Sequence, residues 1–253
     1  MELERLDDYQ SWGLETSSGW ILLDPWLTGT CTLPGGKSVF ERKHSQPPSR
    51  SPDELTSVRA IFLTAHFGDH FHAETLAYFP RETPVISTRW GVQQARKLGF
   101  TNCTELKAGE RFPLGPDLEV RAIGPAFPYA HNSLGFYFVA EKYAGIYFET
   151  HGIRADVWDD EELRPEIVVT AVESVRLLGL PLTLGEKKLL QRLAASGLKR
   201  LIPSGTEPEK ARGFLPALLQ TSGSVRSFGQ AISVAQPAIA FSPMGVGERL
   251  SLS

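Results

Sequence analysis

The chain has 253 residues, of which 42% are hydrophobic, and this is enough to bury one large core. The formal net charge is -3 and Lys and Arg form no dense cluster, which argues against a nucleic-acid-binding protein. No apolar stretch approaches the roughly 20 residues of a membrane-spanning helix, and the acidic start MELERLDDYQ differs from a secretory signal. We therefore expect one cytoplasmic domain over residues 1–253 that binds neither nucleic acids nor membranes, while its oligomeric state stays open.

The first part of the chain alternates between short apolar runs and helix-like stretches. Apolar runs at 12–15 and 20–23, separated by the turn residues TSSG, predict a hairpin. Residues 28–52 are rich in Gly, Pro, Ser and Thr and predict a long loop. The following pattern predicts a strand at 60–64, a helix at 73–79, a strand at 84–87, a helix at 91–98 and a strand at 103–106.

The second part begins with several short strands and continues with helices. Apolar segments split by Gly and Pro predict strands at 118–123, 135–141, 145–148 and 167–171. The pattern then predicts a helix at 184–195, a strand at 199–202, a helix at 207–219 and an irregular tail from about 233. Two mixed β-sheets packed face to face, with helices on their outer faces, would accommodate both β-rich parts.

A histidine-rich segment, LTAHFGDHFHAETL at 63–76, follows a predicted strand. It carries His66, Asp69, His70 and His72, and the chain's only cysteines do not form a C-x-x-C pair, so histidines and carboxylates would have to bind any metal. In an extended loop His70 and His72 would project to the same side, whereas His66 could join them only if the loop coils. The alternative is a polar turn in which Asp69 caps the helix that begins near Ala73.

Distant partners for these side chains lie at other predicted strand ends. His131 precedes one strand, and Glu149 and His151 directly follow another. Scaffolds often bring such positions to one rim, although a lone histidine such as His131 is more often a structural residue. We expect loop and turn to converge, so that His70 and His151 bind a common cation.

The order of these segments resembles the metallo-β-lactamase superfamily over roughly residues 10–225. The resemblance depends on four segments: ILLDPWLTG at 21–29, IFLTAHFGDHFHAETL at 61–76, IYFETHG at 146–152 and LKRLIPSG at 198–205. The superfamily carries an H-x-H-x-D-H loop, whereas this chain has Ala65 and Phe67 at the positions of the first two histidines. It resembles a divergent branch, seen in cyanobacterial and plant members, in which a D-H-x-H loop and a strand ending in E-x-H-G replace the standard ligands.

This resemblance implies an α/β fold, the four-layer αββα sandwich, in which helices flank two mixed β-sheets. It also implies that Asp69 and His70 match half of the metal centre, that His151 occupies the bridging position, and that His72 belongs to the branch pattern. His66 and His131 remain additional candidate ligands. Asp69 and Glu149 are the candidate catalytic carboxylates, because Glu149 could orient a ligand or accept a proton, or could instead point into solvent.

We expect one divalent metal ion, zinc first, with iron or manganese as alternatives, because imidazole and carboxylate ligands discriminate weakly among them. The predicted function is a metal-dependent hydrolase, in which metal-bound hydroxide attacks an ester, lactone, phosphodiester or related bond of a small-molecule substrate. Aromatic side chains that could line the substrate site are Trp26, Phe127 and Tyr129. The alternative is a non-catalytic protein of the same fold that binds a small ligand or partner, with a structural ion or none.

Overall fold

The computed structural model describes residues 1–126, 128–129, 132–194, 196–205 and 210–252. The strands of these residues are β1 (Glu2–Arg5), β2 (Trp12–Thr16), β3 (Gly19–Leu23), β4 (Cys31–Thr32), β5 (Glu41–Arg42), β6 (Val58–Leu63), β7 (Val85–Ser87), β8 (Cys103–Glu105), β9 (Arg111–Pro113), β10 (Glu119–Ile123), β11 (Gly135–Ala140), β12 (Tyr143–Glu149), β13 (Ile167–Thr170), β14 (Ser174–Leu177), β15 (Leu180–Pro181), β16 (Arg200–Pro203), β17 (Ala211–Arg212), β18 (Leu219–Ser222), β19 (Ala240–Phe241) and β20 (Arg249–Ser251). The α-helices are α1 (Ala73–Leu76), α2 (Arg89–Lys97), α3 (Glu186–Leu193), α4 (Phe214–Ala217) and α5 (Val225–Ala235). None of the helices in this part of the chain is both long and apolar enough to cross a bilayer.

Two compact units divide the chain. The first unit comprises Met1–Leu106, Glu209–Ala217 and Met244–Ser253, and the second comprises Lys107–Pro208 and Leu218–Pro243. Within the described residues, each unit contains one seven-stranded sheet and one three-stranded sheet.

The large sheet of the first unit has the strand order β20-β1-β2-β3-β6-β7-β8. Strands β20, β1, β2 and β3 pair in antiparallel fashion, whereas β3, β6, β7 and β8 are parallel. In this register Leu23 lies beside Phe62, so the residues that follow β3 and β6 emerge next to each other. This pairing positions the polar network described below, as the carboxyl ends of parallel strands commonly do.

The large sheet of the second unit has the order β19-β16-β13-β12-β11-β10-β9. Strands β12, β13, β16 and β19 are parallel, and the turn 150–152 follows the carboxyl end of β12. Helix α3 packs Leu189 and Leu193 into an apolar core that also holds Phe228 and Ile232 of α5. Because the core takes only the face of α3 that carries Leu189 and Leu193, the side chains on its other faces are not needed for core packing.

Most of the predicted periodic elements are confirmed. The hairpin is β2–β3, and the predicted helices at 73–79, 91–98 and 184–195 correspond to α1, α2 and α3 with shifted ends. The three-stranded sheet of the first unit, β17-β5-β4, takes two of its strands from the stretch 28–52 that we predicted as a loop. These strands are too short to produce a period in the sequence.

Two predictions for the end of the chain are wrong. The predicted helix at 207–219 is replaced by β17, α4 and the start of β18, apart from residues 207–209, which lie outside the described part. Gly213 interrupts it with φ +112°, in the left-handed region that an α-helix does not use. The tail from about 233 is not irregular throughout, because α5 extends to Ala235 and β20 pairs with β1.

Candidate functional site

The histidine-rich loop of the first unit is anchored by a carboxylate from another strand. Asp24 follows β3, is 1% exposed and has φ +43°, a conformation that few residues other than glycine adopt. Its Oδ1 accepts a hydrogen bond from the Thr64 backbone N–H (2.7 Å), and its Oδ2 accepts one from Thr64 Oγ1 (2.5 Å). Oδ2 also lies 2.8 Å from Nδ1 of His70. The carboxylate therefore ties the end of β6 to the His70 ring.

This contact determines which His70 nitrogen carries a proton. A carboxylate only accepts hydrogen bonds, so Nδ1 of His70 is assigned as the donor toward Asp24. In the neutral ring the lone pair then belongs to Nε2. Metal-binding histidines commonly donate their other ring N–H to a carboxylate in this manner, which fixes the tautomer and the ring orientation.

Asp69 lies on the Nε2 side of the same ring. Its Oδ2 is 3.6 Å from His70 Nε2 and 3.3 Å from the Tyr9 hydroxyl, which donates to it, and 24% of its side chain is exposed. Gln10 Nε2 donates to the Asp69 backbone carbonyl at 2.5 Å and thereby fixes the loop. An imidazole nitrogen and a carboxylate oxygen thus lie close enough to bind one ion.

Tyr9 and Cys31 border this pair but stay protonated near neutral pH. Burial and the nearby Asp69 carboxylate hold the pKa of the Tyr9 hydroxyl well above its usual range. Burial raises the pKa of the Cys31 thiol well above its ordinary value, and Asp69 adds to this shift. The Arg42 guanidinium lies 4.1 Å from the centre of the Tyr9 ring and opposes both shifts. His70 and Asp69 are therefore better metal donors than Tyr9 or Cys31.

The loop coils rather than extends at this point. The backbone carbonyl of Phe67 accepts hydrogen bonds from the N–H groups of His70 (2.9 Å) and Phe71 (2.7 Å). The case of an extended loop, in which His70 and His72 would project to the same side, therefore does not apply. The ring of His66 lies 4.4 Å from that of Phe67, and its backbone carbonyl accepts a bond from Gln94.

His72, a predicted ligand, caps helix α1. Its Nδ1 accepts a hydrogen bond from the Thr75 N–H (3.2 Å) and lies 2.9 Å from Thr75 Oγ1. Burial lowers the pKa of His72, although a hydrogen bond to the Thr30 backbone opposes the shift. The His72 side chain thus accepts a hydrogen bond from an N–H group at the start of α1 without a metal. The N-cap is His72 and not Asp69, which the polar-turn alternative had named.

Trp26, a predicted wall of the substrate site, lies in the core. It is 1% exposed, stacks on His44 with ring centres 3.8 Å apart, and packs with Cys31 and Phe40. Its indole N–H donates to the Thr28 carbonyl at 2.9 Å. The prediction that Trp26 forms an accessible wall of the substrate site is therefore corrected. Burying this large aromatic ring in the core stabilises the fold more than exposing it at a cavity would.

The turn after β12 in the second unit is built on Glu149. This side chain is fully buried, which excludes the solvent-facing alternative. Its Oε1 accepts hydrogen bonds from the N–H groups of His151 (3.1 Å) and Gly152 (3.3 Å), and its Oε2 accepts one from the Tyr147 hydroxyl (3.1 Å). A Cβ added to Gly135 would lie 2.7 Å from Oε2, so glycine leaves the necessary space. Glu149 therefore shapes the turn that presents His151.

A cavity of about 240 Å³ lies beside this turn, within the second unit. Tyr129 and His151 form one wall, with ring centres 4.0 Å apart. The remaining wall combines apolar side chains, including Leu182 and Leu184, with the cationic side chains of α3, Lys188 and Arg192. The predicted substrate-binding residue Tyr129 thus lines a cavity of this unit.

Two predicted site residues, Phe127 and His131, lie outside the described residues. Among the residues that are described, no group of three or more His, Cys, Asp or Glu side chains is arranged to hold a metal ion. The roles predicted for Asp69, His70, His66 and His151 as ligands stay predictions, and so does their convergence.

Sequence reasoning missed the anchoring residues Asp24, Thr64 and Gln10. Asp24 was visible in the ILLDPWLTG segment, directly after a predicted strand, but its partner could not be identified without the β3–β6 pairing. Thr64 directly follows β6, and Gln10 comes from the segment between β1 and β2. A hydrogen-bond network among three distant segments leaves no periodic signal in the sequence.

Comparison with protein families gives one match. The family model described as "Beta-lactamase superfamily domain" matches residues 19–171, which is more than half of the chain. The matched region includes Asp24, the loop that carries Asp69 and His70, and the turn that carries His151. A search of the curated proteins found no match.

Solved structures share the fold across the whole chain. Isothiocyanate hydrolase from Delia radicum gut bacteria is 18% identical with a TM-score of 0.76, covering 100% of this chain and 99% of that one. A possible metal-dependent hydrolase from Veillonella parvula DSM 2008 is 16% identical with a TM-score of 0.73, covering 100% and 99%. CmlA, a diiron β-hydroxylase from Streptomyces venezuelae, is 14% identical with a TM-score of 0.70, covering 99% of this chain and 54% of that one. At these identities the similarity shows the fold alone, and the predicted αββα sandwich class is confirmed.

Proposed function

Because this chain belongs to the β-lactamase superfamily, we propose that it is a metal-dependent hydrolase of a small-molecule substrate. Two proteins of the same fold support this proposal, since one is an isothiocyanate hydrolase and another is described as a possible metal-dependent hydrolase. The proposed bond is an ester, lactone, phosphodiester or related bond.

The observation that carries the proposal is the arrangement around His70. The buried Asp24 carboxylate, 2.8 Å from Nδ1, directs the Nε2 lone pair toward the side where Asp69 lies. A histidine that only packed in the core would need neither the buried Asp24 carboxylate at Nδ1 nor the Asp69 carboxylate on the Nε2 side. The donor set of imidazole and carboxylate fits zinc, iron or manganese.

We propose that His70 and Asp69 hold one divalent ion, zinc in preference to iron or manganese. Such an ion supplies Lewis-acid chemistry and lowers the pKa of water toward neutrality. The roles of the chain's own groups follow from their contacts. Asp24 and Thr64 orient the His70 ring, and Gln10 holds the backbone of Asp69.

Glu149 is proposed to act through the turn it shapes rather than as a proton acceptor. Its two carboxylate oxygens already accept hydrogen bonds from the His151 and Gly152 N–H groups and from the Tyr147 hydroxyl. It is therefore a positioning residue for His151. His151 itself remains a predicted additional ligand.

The test is hydrolysis by metal-free and reconstituted protein. The wild type, dialysed against a chelator, is assayed with ester, lactone, thioester and phosphodiester substrates before and after addition of zinc, iron(II) or manganese. We expect activity on at least one class only after metal addition, and we expect His70→Ala to abolish it. Activity that survives complete metal removal would contradict the proposal.

The alternative of a non-catalytic binding protein makes a different prediction for the same samples. In that case His70→Ala would leave every rate unchanged at the background level while the protein stays folded. Circular dichroism of both proteins serves as the folding control.

A further inference from the structure

Aromatic, apolar and positively charged side chains together line the cavity of the second unit. One side is aromatic, from Tyr129 and His151, and another is apolar, from Leu182 and Leu184. Lys188 and Arg192 complete the lining with two positive charges. A volume of about 240 Å³ equals about eight water molecules at roughly 30 Å³ each, which suits a small molecule rather than a polymer.

The two cations share one face of a helix. Lys188 and Arg192 are four residues apart in α3, and like charges at this spacing repel each other. The core residues Leu189 and Leu193 lie about 100° further round α3, on the adjacent face. The Trp158 indole N–H donates to the Arg192 carbonyl and fixes the last turn of the helix. The cations therefore line the cavity from a rigid element.

Neither cation forms an ion pair with any acid among the described residues. Asp156 is influenced by Arg192, but its carboxylate pairs with Arg154, whose hydrogen bond chiefly lowers the Asp156 pKa. The other cavity described in this unit shows the opposite pattern, because its Arg121 and Arg154 pair with Asp160 and Asp156. Lys188 is exposed and Arg192 is half-buried, so both charges reach solvent beside an apolar and aromatic wall, an arrangement that complements an anion from outside the chain.

We propose that this cavity binds a small organic anion, a carboxylate on an apolar or aromatic molecule. Arg192 donates from its planar guanidinium and Lys188 adds a second positive charge, while Tyr129 and the two leucines cover the apolar part. This binding requires no hydrolysis, so it does not depend on the proposed function.

The test uses two probes that differ in charge but hardly in shape. Binding of 4-fluorophenylacetate and of the neutral 4-fluorophenylacetamide is measured by fluorine NMR, with metal-free and zinc-loaded protein. We expect the metal-free wild type to bind the acid about tenfold more tightly than the amide, as charge-assisted hydrogen bonds imply. Arg192→Gln and Lys188→Gln each reduce this preference, and the affinity for the amide stays unchanged.

Lys187→Gln is the matched control. Lys187 precedes Lys188 in the same helix and both are exposed, but Lys187 does not line the cavity, so its loss should leave the preference intact. Equal affinity for both probes, no binding of either, or an equal effect of Lys187→Gln would overturn the inference. A preference that appears only with zinc and survives Arg192→Gln would place the anion on the metal, which also overturns the inference but leaves the proposed hydrolase intact. If both cavity variants lose acid binding while no hydrolysis occurs, only the proposed function fails.

Discussion

Asp24 is the residue on which the geometry of the proposed metal site depends. Its carboxylate accepts from Thr64 and from His70, and it is buried with a left-handed backbone conformation. Strain of this kind persists where the surrounding structure fixes it, and it commonly accompanies functional positions. The structure thus assigns a positioning role to a residue that the sequence alone did not single out.

The substitution Asp24→Asn tests that role. The amide can turn its N–H₂ toward Nδ1 of His70, which favours the wrong tautomer, so we expect zinc affinity to fall by 10–100-fold. Competition with a chromophoric chelator measures the affinity. Asp8→Asn is the control, since Asp8 is also buried and bonded to a histidine, His44, and an equal loss in that variant would contradict the assignment.

Asp8 also gives a prediction about stability and pH. Burial alone would raise the pKa of Asp8, but hydrogen bonds from His44 and Ser45 outweigh it and hold the pKa well below its usual range. Because the folded chain releases this proton more readily than the unfolded chain, Asp8 stabilises the fold above a pH of about 4 and loses this effect as the pH falls. We expect Asp8→Asn to reduce the free energy of unfolding at pH 7 by about 1–3 kcal/mol.

The measurement is urea unfolding of both proteins from pH 7 to pH 3. The difference between wild type and Asp8→Asn should shrink as the pH falls below about 4, because the unfolded wild-type chain then takes up a proton on Asp8 that the folded chain does not yet bind. A difference that stays constant over this range would show that the ionised carboxylate contributes nothing.

Helix α1 is a short element whose start depends on His72. With only four residues, Ala73–Leu76, it has little stability of its own, and the His72 side chain satisfies the Thr75 N–H. We expect His72→Ala to destabilise the protein by about 1 kcal/mol, whereas His72→Asn restores a cap. Urea unfolding at pH 7.5 compares the three proteins.

The pH dependence of the same variants provides a second readout. Burial lowers the pKa of His72, so the unfolded chain takes up a proton below about pH 6.5 and the folded chain does so only at lower pH. The wild type therefore loses stability as the pH falls from about 7 toward 5, and His72→Asn should lose less. Equal slopes for both proteins would be inconsistent with a buried neutral His72.

Elements in which apolar residues repeat regularly over several turns could be predicted from the sequence. Short strands that form only by pairing with a distant segment could not. The apolar face of α3 is visible in the sequence because Leu189 and Leu193 repeat at helical spacing. Strand β20 has three residues, and it exists because Leu250 pairs with Leu3 of β1 at the other end of the chain. No local sequence pattern could predict such a strand, and the same holds for β17, which pairs with β5.

At the level of the whole molecule, the order of motifs identified the family that the comparisons confirm. The family match over residues 19–171 includes three of the four segments on which the resemblance depended. The loop and the turn could be located from the sequence, because strands with polar residues at their ends are typical of functional sites. The roles of their side chains could not, since hydrogen bonds rather than spacing decide that His72 caps a helix and Glu149 shapes a turn.

The central claim is that His70 and Asp69 hold a divalent ion, and the metal content of the purified protein tests it most directly. Mass spectrometry of wild type, His70→Ala, Asp69→Asn, His151→Ala and His72→Asn gives the number of ions per chain. We predict about one ion in the wild type and in His72→Asn, and almost none in His70→Ala and Asp69→Asn. Loss in His151→Ala would support the further ligand predicted from the sequence. A wild type that binds no metal even after zinc is added, or a His70→Ala protein with full metal content, would contradict the account.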